Sequence, residues 1–147
     1  MTEQRNRWLI IGGWLSIAAA FLHIACIFGG GDWYRFFGAG EELARADEAG
    51  LWTPAILTAG IATLLLIWSA YAFAGAGVTR RLPLLRTALV IIASIYLLRG
   101  LMIIPILMQP SARTSFNIWS SLIVLIYGIT YSVGTLQMWR TISPRRA

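Results

Sequence analysis

The sequence has little charge and few of the residues that build reactive sites. Only 12% of its 147 residues are charged, none is lysine, and there is one histidine and one cysteine. Soluble domains carry roughly twice that share of charge, so the composition excludes a disordered chain and disfavours a water-soluble domain. A lone cysteine excludes an internal disulfide. The length limits the chain to a single domain, residues 1–147.

The net charge of +6 rests on arginine alone. Nucleic-acid binding would require this charge to be gathered on one soluble face. The arginines instead fall mostly between apolar runs, so we predict no nucleic-acid partner. The scarcity of acidic groups matters as well, because the long apolar runs contain none and so offer no intramembrane carboxylate for proton coupling.

Four apolar runs are long enough to cross a bilayer. At a rise of about 1.5 Å per residue, each matches a hydrocarbon core of roughly 30 Å. The first run is too long for the apolar part of a cleaved signal peptide, so we interpret it as a retained span. The predicted fold is an all-α integral membrane protein, a bundle of four transmembrane helices. The predicted spans are residues 8–28, 54–73, 87–108 and 118–139.

The arginines that flank these spans are unevenly distributed. Eight lie in the two tails and the second connection, and three lie in the first and third connections. The positive-inside rule therefore predicts a multi-pass protein with both termini in the cytoplasm. The larger group is Arg5, Arg7, Arg80, Arg81, Arg86, Arg140, Arg145 and Arg146; the smaller group is Arg35, Arg45 and Arg113.

The first outer loop, residues 29–53, holds five of the six acidic residues. Residues 33–37 are mostly aromatic, which is typical of a membrane interface. The composition of residues 41–49 favours a short helix. Two interpretations remain open. The helix lies on the outer leaflet and packs over the bundle, or it forms a lid whose carboxylates, Glu41 and Glu42, face a pocket between the spans.

Arg99 is the one formal charge inside a predicted span. A charge near the middle of the membrane costs at least about 2.5–3.5 kcal/mol, so Arg99 is expected to find a partner. The candidates are Glu41 or Glu42, backbone carbonyls, or an anionic ligand. The alternative is an arginine that extends to the outer surface and anchors the helix. Pro105 is expected to kink the same span on the outer side of Arg99.

Two further polar residues lie at depths compatible with a site around Arg99. His23 shares a helix face with Cys26, but zinc needs three or four ligands, so we predict no metal and no cofactor. His23 is either a hydrogen-bonded packing residue or part of the pocket. Tyr127 is as far from the cytoplasmic end of its span as Arg99, and it either lines a polar cavity or joins helices together.

Several stretches of the chain resemble an uncharacterised family of small four-span bacterial inner-membrane proteins. These are His23-Ile-Ala-Cys26, Tyr34-Arg-Phe-Phe-Gly-Ala-Gly-Glu41, Arg81-Leu-Pro-Leu-Leu-Arg86 and Tyr96-Leu-Leu-Arg99-Gly100. The resemblance covers most of the chain and implies a bacterial source and an inner-membrane location. Its motifs name no reaction, and no functional residue is carried over from it.

The leading functional hypothesis is a module that binds or transports a small anionic or lipid-like ligand. Its expected partners are the lipid bilayer and either a second copy or another membrane protein. The predicted ligand-binding residues are Arg99, His23, Tyr127, Glu41 and Glu42.

Two other classes of function remain open. An accessory or assembly subunit would dock other membrane helices through small residues such as Gly12 and Gly128. A small membrane enzyme would use His23 as its general base.

Overall fold

The computed structural model of the protein describes residues 5–142, of which none forms a β-strand. A single 3₁₀ turn, Pro110–Ala112, lies between the fifth and sixth helices. The helices are α1 (Arg7–Phe36), α2 (Glu41–Glu48), α3 (Thr53–Gly75), α4 (Leu85–Leu101), α5 (Ile103–Met108), α6 (Ser115–Gln137) and α7 (Trp139–Ile142).

In the described part of the chain, four helical segments are long and apolar enough to cross a membrane, which confirms the predicted number of span-length helices. They are α1, α3, the consecutive pair α4 and α5, and α6. Arg145 and Arg146, which contributed to the predicted orientation, lie outside the described residues.

Successive long helices run in opposite directions. At one end the side chain of Asn6 contacts Gln137, and its backbone N–H donates to Ala76. We call this the basic end, because Arg5, Arg7 and Arg140 lie there. At the other end, the α2 end, Phe37 of the first connection packs against Phe116 of α6. Within the bundle, α1 packs mainly against α3 and α4 mainly against α6.

Glycines allow α4 and α6 to approach at backbone distance. A Cβ atom on Gly100 would lie 2.5 Å from Cα of Leu125, and one on Gly128 would lie 2.8 Å from the backbone nitrogen of Leu97. Small residues commonly permit such close packing between membrane helices. These two contacts set the register of α4 on α6 and hence the depth of Arg99.

α1 continues eight residues beyond the predicted first span, through the aromatic segment, to Phe36. The continuation includes a kink at Gly30, whose φ of 67° and ψ of −156° are not helical. A residue with a Cβ would be strained in this conformation. The next glycine serves a different purpose, because a Cβ on Gly31 would lie 3.1 Å from the carbonyl oxygen of Ala44 in α2.

The short helix predicted for residues 41–49 is present as α2, Glu41–Glu48. It packs over α1 and α3 through a small apolar core that contains Cys26, Tyr34 and Ala44. Thr58 of α3 donates a hydrogen bond of 3.3 Å to the hydroxyl of Tyr34. This core fixes the acidic segment to the α2 end of the bundle.

The third span is interrupted, as its proline predicted. α4 ends at Leu101 and α5 begins at Ile103. Pro105 has no N–H, so the carbonyl of Leu101 lacks the usual hydrogen bond from a residue four positions later. The break places Arg99 in the last turn of α4, where a positive charge interacts favourably with the helix dipole.

Local side-chain contacts set the starts of α6 and α3. α6 is capped by Thr114, whose side chain accepts the hydrogen bond from the Asn117 backbone at 3.1 Å. The side chain of Asn117 instead donates to the carbonyl of Ala112 at 3.0 Å. α3 begins at Thr53 itself, and Pro54 lies in its first turn. Hydroxyl and amide side chains compete for caps, and sequence alone did not resolve which one caps α6.

We predict that Asn6→Ala lowers the free energy of unfolding by about 1–2 kcal/mol. Asn6 is 7% exposed, and its Oδ1 accepts from the Leu9 backbone at 3.0 Å. Its Nδ2 donates to Gln137 at 3.0 Å and to the Gly134 carbonyl at 3.4 Å. Thermal unfolding in detergent measures the loss. The control Gln137→Ala removes one of these bonds and spares the cap. An equally large loss in that control would contradict the stabilising role of Asn6 as the cap of α1.

Candidate functional site

Arg99 is held by the helix that packs against its own. Its Nη1 donates a hydrogen bond of 3.1 Å to Oγ of Ser121, which is fully buried in α6. The Arg99 residue itself is exposed at the surface of the bundle. Among residues 5–142, no carboxylate lies within ion-pair distance of it. Arg99 is thus an anchored cation whose charge no described side chain neutralises.

Three exposed residues close to Arg99 in the sequence are apolar. Leu98 is 68% exposed, Leu101 is 46% exposed and Met102 is 49% exposed. In a bilayer these side chains face lipid. An anionic group that approaches Arg99 from this side would therefore come through the membrane or along its interface.

Glu41 is committed to arginines other than Arg99. Its carboxylate accepts hydrogen bonds from Nε of Arg35 at 2.8 Å and from Nε of Arg45 at 2.9 Å. Arg35 also holds Glu48, with 3.0 Å between Nη2 and Oε2. Glu42 is exposed and has no hydrogen bond among the described residues. The structure does not bring either predicted carboxylate to Arg99.

These ion pairs make the attachment of α2 sensitive to acid. Hydrogen bonds from Arg35 and then Arg45 lower the pKa of Glu41 to about 2, and the hydrogen bond from Arg35 lowers the pKa of Glu48. A pKa that is lower in the folded state gives stabilisation that is present above the ordinary value of 4.5 and lost as pH falls toward 2.

We therefore expect the protection factors of the α2 amides, which compare the observed exchange rate with the intrinsic rate at the same pH, to stay constant down to pH 4.5 and to fall between pH 4.5 and about 2. Carboxyl-detected NMR gives the midpoint of Glu41 directly. In Arg35→Gln that midpoint moves up toward the ordinary value. A wild-type midpoint already near 4.5 would contradict the ion-pair geometry.

His23 has the environment of a packing histidine. It is half-buried, and its Nδ1 lies 2.8 Å from the carbonyl oxygen of Ala19, one turn earlier in α1. Because a carbonyl only accepts, Nδ1 carries the proton. Cys26 is buried in the core beneath α2. No group of three or more metal-ligating side chains occurs in the described part of the chain.

Tyr127 lies level with Arg99 but points elsewhere. The packing of Gly100 on Leu125 and of Gly128 on Leu97 places the two residues at similar depth. The ring of Tyr127 is buried and meets Tyr96 edge to face, with centroids 5.4 Å apart. None of the other four predicted site residues forms a hydrogen bond or ion pair with Arg99 in residues 5–142.

A buried chain of hydroxyl groups, which was not predicted from the sequence, lies at the centre of the bundle. Oγ of Ser16 lies 3.0 Å from the hydroxyl of Tyr96 and 2.8 Å from that of Tyr131. The Tyr131 hydroxyl donates to the carbonyl of Trp68 at 3.2 Å. Because each hydroxyl has one proton, Ser16 donates to Tyr131 and Tyr96 donates to Ser16. This hydroxyl chain links residues of α4, α1, α6 and α3, in that order.

Every donor among these linked hydroxyl groups has an acceptor, so the hydroxyl chain acts as a structural connection rather than as an open site. The sequence signal was present, since Ser16 and Tyr131 interrupt apolar runs. Which hydroxyls meet depends on helix rotation, which the sequence did not specify.

Comparisons with protein families, with curated proteins and with solved structures find no match to this chain.

Proposed function

We propose that the chain is a multi-pass protein of a bacterial inner membrane, with both termini in the cytoplasm and α2 at the outer interface. The distribution of described arginines supports this orientation. Arg5, Arg7 and Arg140 lie at the basic end, whereas Arg35 and Arg45 lie at the α2 end.

Within this frame we infer that the protein binds an amphiphile with an anionic group, a carboxylate or a phosphate, at Arg99. The observation that carries the proposal is the exposed Arg99 guanidinium, fixed by Ser121 and paired with no described carboxylate. An arginine in the bilayer core costs at least about 2.5–3.5 kcal/mol, which an anion bound there offsets. A guanidinium also binds two oxygens of a carboxylate or phosphate at once.

The proposal retains Arg99, adds Ser121 and assigns no ligand contact to the other predicted residues. His23 and Tyr127 pack within the bundle, and Glu41 binds Arg35 and Arg45. The ligand-binding surface is therefore the exposed face at the end of α4, without a lid formed by α2.

The alternative of an assembly subunit assumed that Gly12 and Gly128 are available to dock other membrane helices, and the structure does not support that assumption. A Cβ on Gly12 would lie 2.9 Å from the ring of Tyr131, and Gly128 packs on Leu97. Both glycines are thus used inside this chain's own bundle. The enzyme alternative has no support in the surroundings of His23, whose described hydrogen bond is to a backbone carbonyl.

Native mass spectrometry of protein extracted from its own membrane tests the proposal. We expect wild type and the control Arg113→Gln to retain a small-molecule adduct that Arg99→Gln loses. Arg113 is an exposed arginine in the connection before α6, so the control removes an equal charge. The proposal would be contradicted if Arg99→Gln retained every adduct that wild type carries.

Stability without ligand separates a binding role from a structural one. If Arg99 serves binding, Arg99→Leu is neutral or raises the free energy of unfolding in detergent, because one hydrogen bond to Ser121 is lost and a charge in an apolar segment is removed. A loss of more than about 2 kcal/mol would show instead that Arg99 holds the fold together.

A further inference from the structure

A second arginine-lined site lies at the basic end of the bundle, far from Arg99. A cavity of about 690 Å³ is formed by the start of α4, the segment before it and Trp139. Arg81 and Arg86 are among its lining residues, as are the apolar residues Leu84, Val90 and Ile91. No acidic residue is among those that form its wall. We call this cavity the basic groove.

The basic groove is polar at one end and apolar along its length. Arg81 and Arg86 precede or begin α4, whereas Val90 and Ile91 lie one to two turns further into the span. Val90 is 40% exposed and Ile91 is 52% exposed. An occupant that suits both parts carries negative charge at one end and a hydrocarbon chain at the other.

The backbone at the rim of the groove is strained. Leu84 has a φ of 53°, in the left-handed region that leucine rarely adopts, and its side chain is 78% exposed. This conformation directs an apolar side chain outward next to two arginines. Such strain persists only where surrounding structure enforces it, and it is frequent where ligands bind.

We propose that the basic groove binds an anionic phospholipid. Its phosphate contacts Arg81 and Arg86, and an acyl chain runs along Leu84, Val90 and Ile91. Charge complementarity selects a lipid with net negative charge over a zwitterionic one. The proposal depends on the membrane location proposed above but not on a ligand at Arg99.

The stacking of Arg86 is compatible with this role. Its guanidinium carbon lies 3.5 Å from the ring centroid of Trp139. Stacking uses the face of the guanidinium plane, whereas phosphate oxygens accept from N–H groups at its edge. Trp139 thus contacts Arg86 through the face of its guanidinium group, and tryptophan is itself frequent at the level of lipid headgroups.

Native mass spectrometry of the full chain in detergent tests the site with two added lipids. Palmitoyl-oleoyl phosphatidylglycerol is the anionic probe, and palmitoyl-oleoyl phosphatidylcholine is the zwitterionic control with identical chains. We expect wild type to prefer the first by about tenfold or more. The double variant Arg81→Gln/Arg86→Gln loses this preference.

A matched double variant controls for the loss of charge. Arg5→Gln/Arg80→Gln removes two exposed arginines from the basic end that are not part of the groove wall, and it should keep the preference. If the first double variant does not fold, Arg81→Gln alone leaves the Arg86–Trp139 stack in place and should lose at least about threefold. The same comparison is repeated with Arg99→Gln present in every variant, so that any phospholipid bound at Arg99 does not contribute, and the loss caused by Arg81→Gln/Arg86→Gln should remain.

Several results would overturn the proposal. One is equal binding of the two lipids by wild type, and another is an equal loss of preference in the matched double variant. If inorganic phosphate alone raised the unfolding temperature as much as phosphatidylglycerol does, the groove would be assigned to a free anion. Dimers that dissociate only in Arg81→Gln/Arg86→Gln would assign it to a second copy of the chain.

Discussion

Gly100→Ala should destabilise the protein by about 3 kcal/mol, at the upper end of typical overpacking costs. The added Cβ would lie 2.5 Å from Cα and 2.7 Å from the backbone nitrogen of Leu125. Both are main-chain atoms, so no side-chain rotation can relieve the contact. α4 and α6 must separate, and the contacts that surround the glycine weaken together. Thermal unfolding in detergent, followed by far-ultraviolet circular dichroism, measures the loss.

Gly60→Ala is the matched control. Gly60 also lies inside a long helix, α3, but a Cβ built on it meets nothing within 4 Å. Alanine favours a helix over glycine by roughly 0.5–1 kcal/mol, so this change should be neutral or stabilising. Equal stability of the two variants would contradict the close packing of α4 on α6.

Tyr131→Ala is expected to have the largest effect, a loss of about 3–5 kcal/mol. Tyr131 is completely buried, and its ring packs against Tyr96 with centroids 5.4 Å apart. The substitution leaves a cavity where α1, α3 and α6 meet and removes the hydroxyl that joins Ser16 to the Trp68 carbonyl. Chemical unfolding in mixed micelles gives the free-energy change.

Tyr131→Phe divides this loss between the ring and the hydroxyl group. The ring remains, while Ser16 loses its acceptor and the Trp68 carbonyl loses its donor. Hydrogen bonds between membrane helices contribute about 0.6 kcal/mol on average, so we expect a loss of about 1 kcal/mol. A phenylalanine variant as unstable as Tyr131→Ala would show that the hydroxyl, not the packing of the ring, dominates.

The sequence was sufficient to predict the number of span-length helices, the short helix in the first loop and the break near Pro105. These features depend on local composition, helix length and one imino acid, all of which can be seen in the sequence. The extent of α1 was harder to predict, and the first outer loop was expected to begin at residue 29, where a run of three glycines starts. In the structure, Gly30 forms a kink and Gly31 allows α2 to approach, so the helix resumes beyond them.

The hydrogen-bond partner of Arg99 could not be predicted from the sequence. The predicted acids were those nearest in the topology, but Glu41 lies closer to Arg35 and Arg45, and a carboxylate has only two oxygens to share. Ser121 was one of many hydroxyls in the fourth span. Its selection depends on the rotation of α6 about its axis, which Gly100 and Gly128 determine through contacts between distant parts of the chain.

The hydroxyl chain through Ser16 has a mechanical consequence. The bundle consists of two helix pairs, α1 with α3 and α4 with α6. All three hydrogen bonds of that chain, including the one between Ser16 and Tyr131, cross from one pair to the other. Sliding of the pairs past each other would break these bonds where no water can replace them. The middle of the bundle therefore resists shear, and relative movement of the two helix pairs is confined to its ends, one of which holds the basic groove.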